Sequence, residues 1–189
     1  MTIDVGTGDG RAVLATAATD PAGLAIGIDA NAASMAEVSR RASRSPAKGG
    51  QPNALFLLGA AEAIPEELHG VADLVTIQLP WGSLLRGCLG RDDAVAAGIA
   101  SLLRPGGLLE LLLAPAERDR LDGLPTEPAA VAAAAGKSFG AHGISVIEAR
   151  PATPAEILAS RSTWARRLLA GPARERRPVT LVRMRSSAA

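Results

Sequence analysis

Three groups of residues in this 189-residue chain carry chemistry by their type and spacing. The first is Asp4-Val5-Gly6-Thr7-Gly8-Asp9-Gly10, with glycines at alternate positions between acids. Glycine lets a backbone turn sharply and approach a ligand closely, and the first N–H groups of a following helix lack partners. The second is Asp29, 19 residues after Gly10. At the end of the next strand, such an acid accepts hydrogen bonds from ribose hydroxyls in nucleotide-binding α/β folds. The third is the pair Trp81 and Trp164, in Pro80-Trp81-Gly82-Ser83 and Ser162-Thr163-Trp164-Ala165-Arg166-Arg167. They are the only tryptophans in a chain with no Tyr and two Phe. A chain so poor in aromatics has little need of indoles for its core, and these two, beside polar and basic groups, suit a flat ligand. Trp164 also stands at helical spacing from Ile157 and Leu168, which is equally the pattern of a core anchor.

Two cofactors fit the glycine turn. A dinucleotide prefers Gly-x-Gly-x-x-Gly with its pyrophosphate on the helix N-terminus. This turn reads Gly-x-Gly-x-Gly, and Asp9 would crowd a pyrophosphate with like charge. S-adenosylmethionine has no phosphate and carries a sulfonium and an ammonium, so Asp4 and Asp9 favour it. Ala60-Ala61-Glu62 follows the third strand, at the edge where doubly wound sheets hold ligands. Ala61 and Glu62 are placed to border the cofactor's adenine; a surface helix cap is the alternative.

The elements that must position these groups follow from periodicity. Strands are expected at Thr2–Val5, Leu24–Ile28, Ala54–Leu58, Asp73–Leu79, Leu108–Leu113, Ile144–Arg150 and Val179–Arg185. Leu108–Leu113 reads as a strand buried on both faces. Helices are expected over residues 10–19, after an Asn31 cap with Met35, Val38 and Ala42 inward, and over 92–103 and 129–140. Thr153-Pro154-Ala155-Glu156 has the form of a capping box, opening one helix to about Leu169. Residues 45–50 and 114–128 read as loops. Strands alternating with helices imply an α/β Rossmann-like fold in a single domain. Seven strands in this order suit a class I methyltransferase sheet, mainly parallel with an antiparallel last strand.

Residues 161–185 hold eight arginines against one acid, a net of +7 in a chain whose total is +1, so the remainder carries −6. Arg40, Arg41 and Arg44 fall three or four apart on the second helix, and so on one face. Such asymmetry points to an anionic partner, or to a solvated face in an arginine-rich proteome. One Cys and two His exclude an internal disulfide and give no support to a Cys/His metal site. Cys88 reads as a small buried residue. With no apolar run of about 18 residues and no signal sequence, a cytoplasmic protein without membrane or metal partners, and monomeric, is expected.

Gln78-Leu79-Pro80-Trp81-Gly82-Ser83 follows the fourth strand. Many S-adenosylmethionine enzymes acting on amines place [Asn/Asp/Ser]-Pro-Pro-[Tyr/Phe] there. This chain keeps the aromatic platform but has Leu79 where the short polar residue stands, which fits a ring-nitrogen acceptor better than an exocyclic amine. Asp4-Val5-Gly6-Thr7-Gly8-Asp9-Gly10-Arg11, Pro46-Ala47-Lys48-Gly49-Gly50, Ala60-Ala61-Glu62, Pro80-Trp81-Gly82-Ser83-Leu84-Leu85 and Trp164-Ala165-Arg166-Arg167-Leu168 together resemble the aminoglycoside-resistance 16S rRNA (adenine-1408-N1)-methyltransferases, the Kam/Npm family. The blocks appear in the family's order over nearly the whole chain.

The resemblance implies a role for each matching position. Asp4, Gly6, Gly8 and Asp29 would hold S-adenosylmethionine, and Ala61 and Glu62 would flank its adenine. Leu79, Pro80 and Ser83 would line the pocket, with Ser162 on its cofactor and target side. Trp81 and Trp164 would sandwich a target adenine extracted from 16S rRNA in the assembled 30S subunit. Arg40, Arg41, Arg44, Arg166 and Arg167 would contact rRNA phosphates. Residues 114–140 match poorly. The family carries a segment before the first strand, so this chain, opening on that strand, is expected to lack it. Two other classes compete: a methyltransferase for another RNA or a small molecule, which needs no basic footprint, and a non-catalytic RNA-binding relative, which needs no glycine turn.

Overall fold

Among the described residues, β-branched and leucine-rich runs bounded by glycine turns form seven strands, and the Ala-rich amphipathic stretches between them form helices. The computed structural model describes residues 1–115, 123–170 and 177–188. The strands are β1 (Thr2–Val5), β2 (Ala25–Asp29), β3 (Ala54–Leu58), β4 (Ala72–Gln78), β5 (Leu103–Leu113), β6 (Ile144–Pro151) and β7 (Thr180–Ser186). The helices are α1 (Arg11–Thr19), α2 (Ala32–Ala42), α3 (Gly82–Cys88), α4 (Asp93–Leu102), α5 (Pro128–Gly140), α6 (Pro154–Ala159) and α7 (Thr163–Leu169).

All seven strands join one sheet in the order β3-β2-β1-β4-β5-β7-β6. Pairing is parallel from β3 through to β5. β7 runs antiparallel between β5 and β6, as expected of the last strand. Strand order reverses between β1 and β4, where open α/β sheets leave a crevice at the strands' carboxyl ends. One apolar cluster, with Ile3, Val75, Ile99, Leu111 and Phe139, packs α4 and α5 on one side of the sheet. A second, with Val13, Met35 and Val38, seats α1 and α2. A third, with Leu79, Leu112, Ile157, Ala165 and Leu168, seats α6 and α7 near the carboxyl end of β5.

Asn31 caps α2 by accepting the Ala33 N–H at 3.1 Å, and Met35, Val38 and Ala42 are buried as their spacing predicts. Three local expectations need correction, and one helix stands where none was expected. α2 ends at Ala42, so Arg44 lies past its cap. Gly82–Cys88 is a helix that its two glycines concealed. Glu110 interrupts the apolar run of β5 and is partly exposed, so that strand is not buried on both faces along its length. The long helix expected after Thr153 is two short ones, broken at Ser160-Arg161-Ser162, where Arg161 adopts a left-handed φ of 52°.

Candidate active site

The turn after β1 is built by backbone geometry. Gly6, Gly8 and Gly10 have φ of 73°, 58° and 67°, a region that disfavours residues with a Cβ. A Cβ on Gly10 would meet Phe56 at 2.5 Å and Val38 at 2.6 Å, so this glycine serves packing. A Cβ on Gly8 would meet nothing within 4 Å; it would project into open space. Asp29, at the end of β2, holds the turn: one carboxylate oxygen accepts the Gly8 N–H at 2.8 Å and the other the Asn31 N–H at 2.8 Å. Asp4 is buried beneath the turn and accepts the Thr76 hydroxyl at 2.6 Å. Burial pushes its carboxyl up to about 6, against hydrogen bonds from Thr76 and Thr7, and the charge of Asp29 adds to the rise.

The opposite wall comes from β4 and from the α6–α7 arm. Leu79 leaves β4 with a left-handed φ of 54°, rare for a residue with a branched side chain. Its side chain is anchored in the cluster with Leu112 and Ile157, and its N–H donates to the Leu112 carbonyl at 2.8 Å. The chain is thereby turned outward at Pro80, and Trp81, ahead of α3, is 83% exposed. On the arm, Ser162 caps α7 by accepting the Trp164 N–H at 3.1 Å. Trp164 is half-buried against the third cluster, and the Arg167 guanidinium lies 5.8 Å from its ring centre, within cation–π range.

These pieces enclose one cavity of about 840 Å³. It is lined by the glycine turn, Asp29, Ala61, Glu62, Pro80, Trp81, Ser162 and Trp164, among others.

Residues 1–183 match the family model described as NpmA: 16S rRNA (adenine(1408)-N(1))-methyltransferase. The chain belongs to this family. It is 35% identical over 173 residues to the 16S rRNA (adenine(1408)-N(1))-methyltransferase of Streptoalloteichus tenebrarius, covering 89% of this chain and 80% of that one. Among solved structures, the 16S rRNA methyltransferase KamB superposes with a TM-score of 0.86 at 31% identity, over 98% of this chain and 87% of that one. A tryptophan-to-alanine mutant of the 16S rRNA (adenine(1408)-N(1))-methyltransferase from Catenulisporales acidiphilia, solved with cosubstrate SAM, gives 0.84 at 32% identity, over 98% and 85%. The aminoglycoside resistance methyltransferase NpmB1 gives 0.78 at 38% identity, over 98% and 86%.

As a Kam/Npm methyltransferase the chain is an enzyme that uses S-adenosylmethionine, and its cavity fits that molecule. Asp4, Asp9, Asp29 and Glu62 line it, and among its described lining residues Arg177 is the one base. That balance suits a cationic ligand without phosphate. The open space before Gly8 leaves room for a ligand against bare backbone.

The cavity gathers every residue expected to touch cofactor or target: Asp4, Gly6, Gly8, Asp29, Ala61, Glu62, Leu79, Pro80, Trp81, Ser83, Ser162 and Trp164. Of the arginines expected to contact RNA, Arg167 lies over the cavity-lining Trp164, and the others stand elsewhere. Arg40, Arg41 and Arg44 ring a separate hollow with Lys48, and Arg166 lines a groove with Arg11, Arg41 and Arg161. Part of the arginine-rich tail, residues 171–176, lies outside the described residues, as does 116–122 of the poorly matching loop. Gln78, Ala114, Ser160 and Arg177 also line the cavity. Sequence reading missed them because only tertiary structure brings them there. Cys88 is fully buried, and burial pushes its thiol up to about 12, so it is inert packing as expected. His142 pairs with Asp93 at 2.9 Å, outside the cavity. Among the described residues no helix is long and apolar enough to cross a membrane.

Proposed function

We propose that this chain transfers a methyl group from S-adenosylmethionine to N1 of adenine 1408 in 16S rRNA of the assembled small ribosomal subunit, and that the product confers aminoglycoside resistance. One observation carries the reading: two indoles from distant parts of the chain line the same cavity as the glycine turn and Asp29.

The cofactor supplies an electrophilic methyl group on its sulfonium. Asp4 and the Gly6–Gly8 turn bind its cationic end, Asp29 its ribose, and Ala61 and Glu62 its adenine. Leu79, Pro80, Ser83 and Ser162 shape the passage to the target. Adenine N1 presents an in-plane lone pair and has no proton to lose, so the chain needs no general base. Its task is orientation. Extracting a base from folded RNA costs a few kcal/mol of stacking and pairing. Trp81 and Trp164, one on each ring face, recover roughly 1–3 kcal/mol per stacked base. Arg40, Arg41, Arg44, Arg166 and Arg167 bind phosphates, which position without reading sequence. Recognition then rests on the shape of the assembled RNA surface. We read the whole chain as one methyltransferase domain, working as a monomer without metal in the compartment that holds ribosomes.

The test is methylation of purified 30S subunits with labelled cofactor, read by primer extension. N1 lies on the pairing edge, so methylation there stops a reverse transcriptase. A stop at adenine 1408 that disappears in Trp81→Ala supports the reading. Transfer to free nucleosides but not to subunits overturns it.

A further inference from the structure

The face of β5, β7 and β6 that receives α6 and α7 is divided into two rows. In one, Leu112 of β5 faces Leu181 of β7, which faces Arg150 of β6. The two leucines lie in the cluster with Ile157, Ala165 and Leu168 of the α6–α7 arm. In the next row, Glu110 faces Arg183, and Arg183 faces Glu148. Side chains two residues apart on a strand share a face, so the charged row borders the apolar one.

The charged groups form a continuous ladder of alternating sign. Arg183 donates from Nε to Glu110 at 2.7 Å and from Nη1 to Glu148 at 2.9 Å. Arg150 donates from Nε to Glu148 at 2.6 Å, and from Nη2 and Nη1 to the two oxygens of Glu156 at 2.6 Å and 2.9 Å. Glu156 is the capping-box residue of α6, and its Oε2 also accepts the Thr153 N–H at 2.8 Å and the Thr153 hydroxyl at 2.9 Å. A ladder that begins on a central strand thus ends on the first turn of α6. The Arg150 fork holds the Glu156 carboxyl far below the usual carboxylate range, and Arg150 and then Arg183 lower Glu148. Glu148 and Glu156 therefore stay charged throughout the neutral range.

Beyond α6 the arm reaches the cavity. The Ser160 hydroxyl donates to the Ile157 carbonyl at 2.6 Å and its Oγ accepts the Ser162 N–H at 3.4 Å; Ser162 in turn caps Trp164. Helices of six and seven residues do not hold themselves. Apolar packing beneath them is non-directional, whereas a bidentate Arg–carboxylate pair fixes both distance and plane.

We propose that Glu110, Arg183, Glu148, Arg150 and Glu156 are positioning residues whose ladder sets the α6–α7 arm against the sheet, and through it the place of Trp164 at the cavity. This rests on reading Trp164 as part of the target site. The five side chains are 27–39% exposed, a setting in which ion pairs contribute little to global stability. A misplacement of about 1 Å, however, costs roughly 100-fold in rate.

Arg150→Met cuts the ladder beside α6 while keeping an apolar stem, and Arg150→Lys keeps the charge but not the fork. In Arg150→Met we expect methyl transfer to 30S subunits to fall at least tenfold in kcat, with cofactor affinity by calorimetry within twofold and the melting temperature within a few degrees. Arg150→Lys should recover part of the loss. In a Trp81→Phe background Trp164 is the sole indole, and Arg150→Met should raise its quenching by acrylamide. Arg150→Met with Trp164→Ala should be no slower than Trp164→Ala alone, since groups acting through one another are not additive. Unchanged quenching, additive losses, or a fall in cofactor affinity matching that in kcat overturns the ladder's role. Full activity in Trp164→Ala would overturn the reading of Trp164 itself, and the quenching would still decide the ladder.

Discussion

Asp4→Asn separates what the cavity needs from what the fold needs. Asp4 is buried and its carboxyl rises from 3.8 to about 6. Because the folded value lies above the unfolded one, stability is fully present below about pH 4 and lost as pH rises to about 6. At roughly 1.4 kcal/mol per pH unit, the ionised carboxylate costs the cofactor-free protein about 3 kcal/mol at neutral pH. The Asn amide oxygen still accepts from Thr76 but has no charge to bury. Asp4→Asn should therefore melt several degrees higher than the parent at pH 7.5, taking about 2–4 °C per kcal/mol at this chain length. The difference should vanish near pH 4. Cofactor binding should move the other way, weakening about 10- to 100-fold as the carboxylate facing a cationic ligand is lost. Differential scanning fluorimetry across pH 4–8, with and without S-adenosylmethionine, measures both. A variant less stable than the parent at pH 7.5, or one that binds cofactor equally well, would refute the reasoning.

Trp81 is exposed, so Trp81→Ala should leave the melting temperature unchanged while transfer to 30S subunits falls about 5- to 150-fold, as loss of 1–3 kcal/mol of stacking requires. Gly8→Ala should cost about 1 kcal/mol in stability but most of the cofactor affinity, because its methyl points into the open crevice; Gly10→Ala should instead fold poorly, and urea melts with calorimetry tell them apart. Leu79→Gly should be less destabilising than Leu79→Ala, because glycine relieves the left-handed φ that alanine keeps. Cys88 should resist iodoacetamide at pH 8 until the chain unfolds, so mass spectrometry of alkylation along a urea series should track the melt.

The cofactor half was readable because its signals are local. The Gly6–Gly10 turn, the Asn31 cap and the alternation of strands and helices each lie within a few residues, and Asp29 follows at a fixed distance. The target half was harder because its signals are distant or contrary. Leu79 precedes a proline, a position expected to be extended, yet it is left-handed and aims Trp81 outward. The capping box at Thr153 announced a helix so strongly that the break at Arg161 went unread, although the Ser160 and Ser162 around it are both good caps. Glu110 sits inside a run that reads as buried on both faces, and the partner that accounts for it, Arg183, is 73 residues away.

The position of β7 carries a consequence for synthesis. β1 to β4 neighbour one another, so that half of the sheet can pair once residue 78 is made. Among the described residues β6 pairs with β7 alone, and β7 stands between it and β5. Although α5 packs against it, β6 has no strand to pair with until Thr180–Ser186 emerge. The nascent chain therefore acquires its cofactor side before its target side. The ribosome that builds it finishes most of its work before the indole on the arm is in place.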